Sequence, residues 1–149
     1  MHVSCVILLV CSTTLWLGHV SKLVQTDDIS DVFGEYGDIV SIDLIPPRGC
    51  AFVVMNRRQD AQTCLNKLER KVIHGKAITI AWAPGKGVKG KEYKDYWDVK
   101  AGATFIPWNK IPHDINIEKL EDGGSIDEET MPLWLQGLYF FLFTFVIRI

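Results

Sequence analysis

The stretch Arg48-Gly49-Cys50-Ala51-Phe52-Val53-Val54-Met55, which follows the turn residues Pro46-Pro47, decides how this chain is read. β-Branched and aromatic side chains favour an extended segment, and a proline pair cannot continue a ladder, so a strand begins just after it. Upstream, Leu15-Trp16-Leu17-Gly18-His19-Val20 is also strand-like, with Leu15 and Leu17 pointing one way and Trp16 the other. Each segment therefore offers an aromatic ring on one side of a sheet.

The elements between and after these strands follow from periodicity. Thr26 is expected to cap a helix whose first turn carries Asp27 and Asp28, with Gly37 as the stop signal and Ile29, Val32, Phe33 and Tyr36 forming its core stripe. Ile39 to Ile45 is a second strand and Cys50 to Met55 a third. Asn56 with Gln59 resembles a capping pair for a second helix running to about Glu69, its apolar face made by Ala61, Cys64, Leu65 and Leu68. Gly75 turns the chain into a fourth strand, Ala77 to Trp82, which ends at Pro84-Gly85.

Residues 13–83 thus carry a β-α-β-β-α-β order, which implies an α+β fold of the ferredoxin-like sandwich type. In it a four-stranded antiparallel sheet holds two helices on one face. The other face is uncovered, so it is either polar or a binding surface.

Here the chain resembles a known family. Leu15 to Val20 looks like the RNP2 hexamer, and Arg48 to Met55 like the RNP1 octamer, of the RNA recognition motif (RRM). The resemblance implies that Trp16 and Phe52 lie together on the open face and stack bases of single-stranded RNA, with Arg48 pairing a phosphate. Cys50 stands at an RNP1 position that is usually aromatic and is carried as a candidate contact. The alternative is a module of the same fold that docks a protein and binds no RNA.

A narrower resemblance rests on Ile45-Pro46-Pro47-Arg48-Gly49-Cys50-Ala51, on Lys76 to Ala83, on Tyr93 to Val99 and on Phe105-Ile106-Pro107-Trp108. Together these look like the SR-related, CTD-associated factors, over about residues 13–130. That family is nuclear, binds nascent pre-mRNA, and works with RNA polymerase II in mRNA processing, restraining early polyadenylation and transcription termination. Its polymerase-binding module is a helical domain that precedes the motif; with twelve residues before the motif here, this chain is expected to lack it.

Charge and composition narrow the rest. Of 149 residues 48% are apolar and the net charge is −2, so no global basic excess drives nucleic-acid binding. Lys86, Lys89, Lys91 and Lys94 are nevertheless concentrated in one Lys/Gly-rich stretch. That stretch is either a solvated linker or a segment that neutralises phosphates, with Lys86 and Lys89 nearest the sheet. Residues 84–132 as a whole read as a Lys/Gly-rich and then acidic, aromatic extension, either packed against the domain or serving as a partner-binding segment.

Residues 1–12 form an apolar extension in which Val3 to Cys11 resembles a signal h-region without a basic flank. Residues 133–149 form an apolar tail, short of the roughly 20 residues that span a bilayer. A tail anchor is one reading of it; an alternative exon or an incomplete gene model is the favoured one, and a membrane partner is not expected. Cys5, Cys11, Cys50 and Cys64 have no paired spacing and are expected to be reduced thiols. Neither a metal nor any other cofactor is implied. With no Ser-His-Asp order, Walker loop or Rossmann glycine pattern, an enzyme is not expected.

Overall fold

The computed structural model describes residues 6–148, with side chains placed as far as residue 142. Within it β2 (Thr14–Gly18), β3 (Ile39–Ile45), β4 (Cys50–Met55) and β7 (Thr79–Ala83) form an antiparallel sheet in the order β3-β4-β2-β7. Helices α1 (Thr26–Phe33) and α2 (Arg58–Leu68) cover one face. Their Ile29, Phe33, Ala61, Cys64 and Leu68 share a core with Leu15, Leu17, Ala51, Val53 and Trp82 from the strands. The alternation read from the sequence thus sorts the sheet into a buried apolar face and an open face, as an α+β sandwich requires.

The capping details differ from expectation. Thr26 is the first helical residue of α1, and Gln25 occupies the cap, its backbone N–H donating to the Asp28 carboxylate at 2.8 Å. The N-cap of α2 is Arg57, one residue after the expected Asn56, whose backbone N–H donates to the carbonyl of Asp38. The expected fourth strand is divided into β6 (Lys76–Ala77), which pairs with β5 (Val72–Ile73), and β7.

A second sheet stands beside the first. Strand β1 (Ile7–Ser12) lies between β9 (Ala103–Pro107) and β10 (Gly124–Ile126), and β8 (Trp97–Asp98) pairs with β9, giving the order β10-β1-β9-β8. The stretch resembling an h-region is therefore a central strand over residues 7–12. Leu8 and Val10 face a second core with Ile106, Ile126, Val88, Tyr93, Ile111, Leu120, Met131 and Leu135. The short helix α3 (Ile117–Leu120) and the helix α4 (Leu133–Arg148) close this core. Among the described residues no helix is long and apolar enough to cross a membrane.

The two layers meet at Ser12-Thr13-Thr14, three polar residues that are all buried. Their polar groups are satisfied across the junction. Ser12 N–H donates to Gly102 O at 2.8 Å, Thr13 N–H to Gly123 O at 3.0 Å and Thr14 Oγ1 to Gly123 O at 2.8 Å. The Ser12 hydroxyl accepts from Thr14 N–H at 2.9 Å and donates to the Ala83 carbonyl. Buried hydrogen bonds of this kind fix one arrangement of the layers, because an unpaired buried group costs about 1–3 kcal/mol.

Candidate nucleic-acid interface

Register determines what shares the open face. Trp16 on β2 lies opposite Phe52 on β4 and opposite Ala81 on β7, and Phe52 in turn lies opposite Asp43 on β3. Directly opposed residues in an antiparallel sheet point to the same side, so Ala81, Trp16, Phe52 and Asp43 make one row across the sheet. Both rings are half-buried, each offering part of its surface to solvent.

Gly18 explains how Trp16 lies. Being two residues on, it shares the face, and a Cβ there would overlap the six-membered ring of Trp16. The indole is therefore laid along the strand over Gly18. Flat aromatic faces are what an unpaired base stacks on.

The Lys/Gly-rich stretch is not a solvated linker. Val88 and Tyr93 are anchored in the second core, and Gly87 packs so closely on the Lys119 and Leu120 carbonyls that a Cβ would overlap them. This anchoring carries Lys89 onto the open face, where its Nζ stands 4.8 Å from the centroid of the Phe52 ring. Lys86 and Lys89, with Pro84, Asp122 and Gly123, form one wall of a cavity of about 290 Å³ whose other wall is the sheet at Thr14, Ser41, Asp43, Phe52 and Val54.

Not every candidate joins this cluster. Arg48 sits exposed in the 3₁₀ turn Pro46–Arg48 that leads into β4, and its guanidinium takes no partner among the described residues. Cys50 is only 8% exposed, so its thiol has little surface to give a ligand. Sequence reasoning missed Ser41 and Asp43. The signal was present in the alternation of β3, since residues two apart share a face and the opposite parity carries the partly buried Ile42 and Leu44.

Among the described residues no group of three or more His, Cys, Asp or Glu is placed to hold a metal ion. Cys11, Cys50 and Cys64 are free.

Residues 15–79 match the family model described as RNA recognition motif. SR-related and CTD-associated factor 8 of Homo sapiens is 52% identical over 124 residues, covering 82% of this chain and 10% of that protein. SR-related and CTD-associated factor 4 of Homo sapiens is 47% identical over 128 residues, covering 84% of this chain and 11% of that protein. Polyadenylate-binding protein RBP47C of Arabidopsis thaliana is 30% identical over 86 residues, 58% of this chain and 19% of that protein. The chain spans about a tenth of the length of the two human factors. Because those alignments run well past residues 15–79 in extent, the likeness includes part of the surrounding second layer.

Proposed function

Residues 15–79 belong to the RNA recognition motif family, and from that premise we propose that the chain binds single-stranded RNA on the open face of its sheet. The observation that carries this reading is the direct opposition of Trp16 and Phe52 on the face turned away from α1 and α2. Two bases stack on these rings, each stack contributing about 1–3 kcal/mol. Arg48, Lys86 and Lys89 hold phosphates, which fixes the strand's position without reading its bases. Cys50, two residues before Phe52 on β4, shares the open face and, being nearly covered, makes at most a small contact with the RNA.

The binding unit is residues 13–83, buttressed by strand β1 and the extension 84–132, which delivers the two lysines. The role is non-enzymatic. By likeness to factors whose names state an association with the CTD, the setting is nuclear: nascent pre-mRNA, with an effect on polyadenylation-site use and transcription termination near RNA polymerase II.

Ultraviolet crosslinking of the whole chain to random-sequence single-stranded RNA, followed by peptide mapping, tests the site. Crosslinked nucleotide on the peptides holding Trp16 and Phe52 is expected. Crosslinks confined to the exposed lysines outside the sheet would contradict it.

A further inference from the structure

Asp43 is out of place on a surface for a polyanion. It stands beside Phe52 in the central row, exposed, and its carboxylate has no hydrogen bond or ion pair among the described residues. A carboxylate repels phosphate and accepts hydrogen bonds only, so on such a face it is useful where a base edge presents donors. The cavity of about 290 Å³ beside it, walled by Phe52, Ser41, Lys86 and Lys89, is close to the volume of a small-ligand pocket.

The bases differ in what they offer a pair of carboxylate oxygens. Guanine presents N1–H and the N2 amine side by side, two donors pointing the same way. In cytosine and adenine the amine adjoins a ring-nitrogen acceptor, and in uracil N3–H is flanked by two carbonyls; each of these sets an acceptor against the second carboxylate oxygen.

We infer that this cavity takes a guanine base, stacked on Phe52, with Asp43 as the specificity-determining acceptor for its N1–H and N2 amine. Lys89, which covers the Phe52 ring in the free protein, moves aside for the base and turns its ammonium to the adjoining phosphate. The inference rests on the RNA-binding reading above and adds to it the identity of one base.

The test uses the whole chain and uridylate oligomers carrying a single guanine at successive positions, with matching oligomers in which inosine replaces guanine and so lacks the N2 amine. Fluorescence anisotropy of wild type and Asp43→Asn gives a double-mutant cycle. At one position the wild type is expected to prefer guanine over inosine by about tenfold, the discrimination a good paired contact supplies. Asp43→Asn is expected to bind both alike. Equal wild-type affinity for guanine and inosine at every position, or a preference that survives in Asp43→Asn, would overturn the guanine assignment and leave RNA binding standing. No binding to any oligomer would overturn both.

Discussion

The Arg58 guanidinium lies over Trp82, its Cζ 3.8 Å from the ring centroid, and ties the two sheets together. From this position it donates to the carbonyls of Ser12 at 3.0 Å, Gly102 at 2.6 Å and Ala101 at 2.9 Å. Gly102, at φ +64, allows the approach, since a Cβ there would strike the Trp82 ring. One side chain of α2 thus holds the end of β1 and the turn before β9 against Trp82 of β7.

Removing that side chain leaves carbonyls without their charged donor. Arg58→Ala is expected to lower stability by about 2–3 kcal/mol, and Arg58→Lys to recover little, because a point charge cannot reproduce the planar fork and the stack. Urea denaturation midpoints check both. An Arg58→Lys variant as stable as the wild type would show that charge alone is sufficient.

Gly18→Ala tests how Trp16 is presented. The new methyl group has to displace the indole from its place along β2, so RNA affinity is expected to fall several-fold while the circular dichroism spectrum is kept. Unchanged affinity would mean that the orientation of Trp16 is immaterial to binding.

Glu121 gives the fold a pH dependence of known sign. Burial raises its carboxyl above the ordinary 4.5, outweighing the Ile126 N–H and the Tyr139 hydroxyl that both hydrogen-bond it, while the Glu128 charge pushes the same way as burial. The folded chain holds this proton more tightly than the unfolded chain does. The associated stability is complete below the ordinary value and is lost as pH rises through the raised one. Glu121→Gln, neutral throughout, is expected to gain on the wild type as pH is raised from about 4 to about 7, measured as the difference between urea midpoints. Parallel profiles would contradict the assignment.

Cys64, fully buried in the first core, has its thiol pushed up to about 11 by burial, with the Asp60 charge adding to the effect. Thiolate is the reactive form, so a thiol reagent near neutral pH is expected to leave Cys64 unmodified until the chain unfolds. Mass spectrometry of labelled peptides across a urea series reads this directly.

The first sheet was legible because its signals are local. Alternation set Trp16 apart from Leu15 and Leu17, the family resemblance put it beside Phe52, and the helices followed from the stripes Ile29/Phe33 and Ala61/Cys64/Leu68. The second sheet was not, since Ile7–Ser12 pairs with Ala103–Pro107 and nothing local in either segment names so distant a partner. For the same reason Val3 to Cys11 resembled a leader and the Lys/Gly stretch a linker. The glycine at 87 serves close packing against α3 and not flexibility, a distinction that composition does not carry. Asp43 was overlooked because a charge on a strand ordinarily marks a solvated face.

The most direct measurement is a titration of the whole chain with random-sequence single-stranded RNA over a salt series, wild type beside Trp16→Ala/Phe52→Ala. Both sheets have to be intact, since the open face borrows Lys86 and Lys89 from the second layer. Saturable binding by the wild type is expected, with log affinity falling against log salt at a slope of about −2 if Arg48, Lys86 and Lys89 each neutralise one phosphate. Binding is expected to be lost in a double variant that still melts cooperatively. A folded double variant that binds as the wild type does would contradict the account.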